Sequence, residues 1–229
     1  MKKRLLIIVS ILVGMLVSPL HVAADGIPTA GQPSVFNTPD DGQLSTYDDS
    51  SQAVRASKHR LYLPTNTPTP IENYRWPTRK LKIYMDTSDR PIQQAFKGAV
   101  KAWNRTGAVH IKWCSSEGQA DIIARDGSLS NNGAAPGVGY VSAQLGSTNT
   151  EYNPDTHALI QARSTLDASH LDYASRSFRT EVAEHELGHA LGLAHAPEYM
   201  HSVMIPRNIR TGITHNDRKT LRQLYDVGR

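Results

Sequence analysis

The chain has 229 residues and a single cysteine, Cys114. No intrachain disulfide can form, and a cysteine-rich zinc module is excluded. This fits a bacterial exported protein better than a disulfide-stapled animal one. Cys114 has little claim to be a nucleophile. Val109, Ile111 and Trp113 alternate with His110, Lys112 and Cys114, which makes it a strand residue. An excess of one charge is also lacking. The formal charge is +4, but Lys2, Lys3 and Arg4 supply three of those charges, and the remainder is near +1 (4 − 3). That argues against a broad basic face and so against nucleic acid as a partner. Beyond the amino terminus there is no long hydrophobic run. The one present, Leu5 to Leu20, is a little short to span a bilayer and contains Gly14 and Pro19.

The basic residues before that run and Val22-Ala23-Ala24 after it describe a secretory signal over 1–24, cleaved after Ala24. An uncleaved membrane anchor is the alternative. Cleavage would leave a secreted protein, free or associated with a cell wall, with no stable membrane association. A Gram-positive source fits this best. Residues 25–72 are rich in Pro, Thr, Ser and Asp and lack a periodic apolar pattern. They read as a prosegment or tether. The folded domain is expected over 73–229, long enough for one core.

Within it stands the run His185-Glu186-Leu187-Gly188-His189-Ala190-Leu191-Gly192-Leu193-Ala194-His195. The extended form fixes five positions, and a chance match is on the order of 10⁻⁷ per start position. One helical turn separates His185 from His189, so both rings leave one face. Gly192 allows the chain to leave the helix with positive φ and brings His195 round. Three protein ligands leave a fourth tetrahedral position open, as in a catalytic zinc site. Phe178, Val182, Leu187, Ala190, Leu191 and Ala194 would bury the helix.

The remaining pattern predicts β-α-β-β-β-β-α-turn-α. Strands are expected at Leu81–Met85, Val109–Cys114, Ala120–Ala124, Gly137–Ser142 and Ala158–Ala162. Helices are expected after Asp89-x-Pro91, from about Ser177 to Leu191, and from Thr214, where Thr214-x-x-Asp217 is a capping box.

The histidine run, followed by Ser202-Val203-Met204-Ile205-Pro206, resembles the metzincin clan of zinc endopeptidases. Pro206 makes the matrixin branch the nearer likeness. Trp76-Pro77 and Leu224-Tyr225 are similar to that family's edges. The resemblance implies an α+β, zincin-like fold: a twisted five-stranded mixed sheet with three helices and a cleft between upper and lower subdomains. It implies that Met204 forms a hydrophobic floor beneath the metal, and that Gly137, Val138, Gly139 and Tyr140 belong to an edge strand that binds substrate. A plain edge strand is an equal reading of those four. Arg207 to Ile213 would wall the pocket beside the scissile bond.

Glu186, next to a ligand, would take a proton from water and return it to the leaving amine. The expected activity is hydrolysis of peptide bonds in a protein or peptide substrate by a monomer. Matrixin latency by a propeptide cysteine has no counterpart in residues 25–72; Asp40, Asp41, Asp48 and Asp49 are the available substitutes. One catalytic zinc is expected. The loop from Asp126 to Tyr140 has no histidine, so no structural zinc is. Calcium bound through carbonyls, Asp126 or nearby Asn side chains stays open. Two other readings remain: a zinc hydrolase of peptidoglycan amide bonds, and a non-catalytic zinc-binding module.

Overall fold

The computed structural model describes residues 5–14, 59–129, 142–206 and 211–226. Its elements are β1 (Leu5–Gly14), β2 (Lys80–Asp86), α1 (Arg90–Arg105), β3 (His110–Trp113), β4 (Ile122–Gly127), β5 (Ser142–Asn153), β6 (Ala158–Asp167), α2 (Ala168–Leu171), α3 (Arg176–Ala190) and α4 (His215–Asp226). The sheet runs β1-β5-β6-β4-β2-β3. β3, β2, β4 and β6 are parallel, while β5 and β1 are antiparallel to their neighbours. The expected five-stranded mixed sheet is therefore β2 to β6, and the fold is α+β as expected. Two of the three long helices, α1 and α3, pack with it and with each other, and the single turn of α2 lies between β6 and α3.

Local chemistry explains the elements. β2 buries Leu81 and Ile83 and exposes Lys80 and Lys82, the alternation of a half-covered strand. The central β4 buries Ile122, Ile123 and Ala124 in succession, because a parallel strand is covered on both faces. The Asp89 side chain caps α1 by accepting from the Ile92 amide at 2.8 Å, and Pro91 sits in the first turn. Helix α1 lays Ile92, Phe96, Val100 and Trp103 into the core. There it meets α3: the Trp103 indole donates to the Glu184 carbonyl at 2.9 Å.

Of the strand expected at Gly137–Ser142 only Ser142 is described, in a strand that continues to Asn153; 130–141 lie outside the described residues. Its run of Gln144, Ser147, Thr148 and Thr150 is polar yet buried, so hydrophobic periodicity does not mark it. Residues of the segment expected to be a prosegment or tether bond to the domain. Leu61 N donates to Thr156 O, Glu72 N to Gly192 O and Ala194 N to Pro70 O. Thr69 is fully buried and bonds Thr220 through both its amide and its hydroxyl. Last, Leu5–Gly14, expected to belong to a signal, lies along β5 as a sixth strand. Residues 15–58, including Asp40, Asp41, Asp48 and Asp49, are outside the described ones.

Candidate active site

Helix α3 starts at a Ser175 cap whose hydroxyl accepts from the Phe178 amide. From Val182 to Ala190 every residue is buried, including His185, Glu186 and His189 at 0% exposure. The helix does not show the sequence's one-sided apolar surface. It enters the core, and its polar face looks inward. Ionisable groups in such a place must be paired or neutral.

The helix then ends in a fixed turn. Gly192 has φ +96. Gly192 N donates to His189 O at 2.9 Å and Leu193 N to Gly188 O at 3.0 Å, the paired bonds of a Schellman motif. The next two carbonyls find side chains. Trp76 Nε1 donates to Ala190 O at 2.7 Å and the Tyr225 hydroxyl to Leu191 O at 2.9 Å. All four terminal carbonyls are thereby satisfied, and the chain is delivered to His195 in one direction.

The structure brings His185, His189 and His195 together. Their ring centroids are 4.7 to 5.3 Å apart. His185 Nδ1 lies 2.7 Å from Val203 O, and His189 Nδ1 lies 2.9 Å from Leu193 O. A carbonyl only accepts, so both Nδ1 atoms carry the proton and both Nε2 atoms hold lone pairs. Those two Nε2 atoms face each other at 3.0 Å. His195 Nε2 is buried without a partner. Burial holds His185 down to about 3, aided by His195. His189 is held well below its ordinary value by burial, then by His185 and His195. Burial lowers His195 as well. All three rings are thus neutral near pH 7.

Among the described residues these three are the group placed to hold a metal, with ligand atoms within 4.8 Å of one another. Tetrahedral zinc with bonds of about 2.0–2.1 Å spaces its ligand nitrogens roughly 3.3 Å apart. Converging neutral lone pairs at this spacing fit a cation between them.

Glu186 lies beside the ligands against β5. Thr148 Oγ1 is 2.5 Å from Glu186 Oε2, while Glu186 Oε1 is buried and unpartnered. A Cβ added at Gly146 would stand 2.3 Å from Oε1, so this glycine makes room for the carboxyl. Burial raises the Glu186 carboxyl well above the usual range, and the Thr148 hydroxyl pulls it back. Opposite, Met204 is fully buried. A Cβ at Gly188 would stand 2.3 Å from Met204 Sδ, so the thioether packs on the helix between His185 and His189. Asp217 anchors this turn: it accepts from the Ser202 hydroxyl and from the Val203 amide at 3.0 Å. It also accepts from Thr214 N at 2.9 Å and returns its own amide to Thr214 Oγ1, the expected capping box.

The sequence-predicted His185, Glu186, His189, His195 and Met204 therefore share one site. Gly137, Val138, Gly139 and Tyr140 lie outside the described residues, as do 207–210 of the expected pocket wall. Tyr199 is 82% exposed. Sequence reasoning missed Gly146 and Thr148, which reach Glu186 only through sheet register, and Glu72. The Glu72 carboxyl stands 3.9 Å from His189 Nδ1 and is raised to about 7 by burial. It sits in the segment read as a tether.

No curated protein matches the chain. A crystal structure of myroilysin is a structural neighbour with TM-score 0.42 and 10% identity, covering 80% of this chain and 98% of that one. The model of the matrixin family, peptidase M10, matches residues 75–226, from the residue before Trp76-Pro77 through the histidine helix to α4, and the chain belongs to that family of zinc-dependent metallopeptidases.

Proposed function

We propose that this chain is an exported zinc endopeptidase in which Glu186 is the general base. The single observation that carries the reading is the juxtaposition of three convergent imidazole nitrogens with an unpartnered, buried carboxylate oxygen. His185, His189 and His195 would hold zinc through Nε2. Zinc held there would supply Lewis acidity, lowering the pKa of a water toward about 7 and polarising a carbonyl. Glu186 Oε1, free of protein partners, accepts the water proton and hands it to the leaving amine. The carbonyls of Val203 and Leu193 fix the ring orientations of His185 and His189.

The substrate is an extended peptide on the outer edge of β5. Support comes from β1, which already lies antiparallel there, with Leu5 opposite Tyr152 and Gly14 opposite Ser142; peptides add to sheet edges by the same main-chain bonds. The residues expected to bind substrate, Gly137–Tyr140, shortly precede this strand in the sequence. Export rests on the basic and apolar start of the chain. No helix among the described residues is long and apolar enough to cross a membrane.

Purified protein is expected to contain one zinc per chain by elemental analysis. Glu186→Ala should keep the zinc and lose about 10³-fold or more in peptide hydrolysis. A folded protein that takes up no zinc would sink the reading. Undiminished turnover in the variant would remove Glu186 as the base.

A further inference from the structure

We propose that Thr148 is a positioning residue for Glu186: its hydroxyl ties down one carboxylate oxygen so that the other alone faces the reaction. The inference rests on the zinc-peptidase reading above.

Thr148 sits on β5, fully buried. Its Oγ1 lies 2.5 Å from Glu186 Oε2, 3.0 Å from the Glu186 carbonyl and 3.2 Å from Ser164 Oγ. A threonine has one hydroxyl proton and two lone pairs. Glu186 Oε2 is the nearest acceptor, so the hydroxyl proton goes to it, and the bond is charge-assisted whenever Glu186 is ionised. Ser164 Oγ, 3.2 Å away, is a more distant acceptor for the same proton; it lies directly opposite Thr148 in the β5–β6 register and donates its own hydroxyl to the Glu186 carbonyl at 3.5 Å.

The consequence is an inequality between two oxygens that are chemically alike. Oε2 is occupied, while Oε1 is buried with no partner. Gly146, two residues before Thr148 and on the same face of β5, completes the device. A side chain there would strike Glu186 Oε1, Cδ and Cγ at 2.3 to 2.8 Å. One strand face thus clears space for the carboxyl at Gly146 and grips it at Thr148. A base held in one rotamer needs no search before each proton transfer.

The test uses the full chain with Thr148→Val, which keeps the shape and removes the hydroxyl, and Thr148→Ser, which keeps the hydroxyl. With zinc bound, Thr148→Val should lower kcat about 10- to 100-fold, with KM within about twofold and one zinc retained. Thr148→Ser should restore kcat to within about threefold of wild type. A second readout needs no activity. In metal-free protein, Thr148→Val should lower Tm on the order of 5 °C and have a clearly smaller effect in a Glu186→Met background, where only the bonds to the main-chain carbonyl of residue 186 and to Ser164 remain to be lost. Full kcat in Thr148→Val beside an inactive Glu186→Ala would overturn the positioning role and leave the zinc-peptidase reading standing. Additive Tm losses in the metal-free cycle would overturn the contact itself. A wild-type protein without peptidase activity would defeat the reading above, and the metal-free cycle would still decide the contact.

Discussion

Gly192 is where the histidine site depends most on a single backbone angle, and Gly192→Ala tests that dependence. Its φ is +96, a region where a Cβ costs an L-residue about 1–2 kcal/mol. The added carbon would also stand 2.7 Å from Tyr74 O and 3.1 Å from Leu224 Cδ2. The first of these is main chain and cannot step aside. Tyr74 is followed directly by Arg75, whose amide donates to His157 O and whose carbonyl accepts from Leu159 N. Crowding of this kind costs roughly 1–3 kcal/mol. The two effects together come to about 2–5 kcal/mol, with a midpoint of about 3.5. At roughly 2–4 °C per kcal/mol for a domain of this size, the melting temperature should fall by about 10 °C. The control is Gly118→Ala, where the nearest atom to the new carbon is Ser116 Oγ at 3.9 Å; it should move Tm by no more than about 2 °C. A second effect separates the turn from simple packing. The same turn supplies Leu193 O to His189 Nδ1 and leads into His195, so zinc affinity should weaken about 10-fold or more. Differential scanning calorimetry and competitive zinc titration read both. A Gly192→Ala protein that melts within about 2 °C of wild type and binds zinc as tightly would refute the claim that this turn demands glycine.

Two further outcomes are expected. Gly146→Ala should fold and bind zinc yet lose about 10²-fold in kcat, because Glu186 must retreat by about 1 Å from the new methyl; steady-state kinetics beside elemental analysis check it, and unchanged kcat would mean the carboxyl works from another position. Glu184→Gln should become relatively more stable as pH rises. Burial, then the neighbouring Glu181, raises the Glu184 carboxyl from an ordinary 4.5 to about 7, so its favourable protonated form is fully present below pH 4.5 and lost as pH climbs through 7. After discounting for solvent screening at its edge, the wild type should lose about 1–2 kcal/mol that the variant keeps, and the Tm gap should widen by several degrees between pH 5 and pH 8. A constant gap would show that Glu184 is ionised at no cost.

What the sequence made legible was short in range. His185, Glu186 and His189 share one helix, and Gly192 and His195 follow within its terminal turn, so spacing alone brought the three imidazoles together. The Asp89 cap and the Thr214–Asp217 box are equally local. The parts that stayed hidden depend on contacts between distant segments. Thr69 and Thr220 bond across 151 positions, and nothing in a Pro- and Thr-rich stretch announces that its amides will find partners. Strand β5 fills its inward face with Gln144, Thr148 and Thr150 rather than Val or Ile. A search for alternating hydrophobicity passes over it, although a β-branched hydroxyl residue suits a strand.

Trp76 and Tyr225 join the two kinds of information. In the sequence they were only edge residues that resemble those of a family, about 150 positions apart. In the structure Trp76 N donates to the Tyr225 hydroxyl at 3.3 Å, and the two side chains close the last carbonyls of α3. A helix end left open in the core would lose about 1–3 kcal/mol for each unsatisfied group and would be free to fray. Fraying there would move His195 relative to His185 and His189. Trp76 and Tyr225 are therefore tied to the three-histidine cluster by hydrogen bonds to the turn that leads to His195.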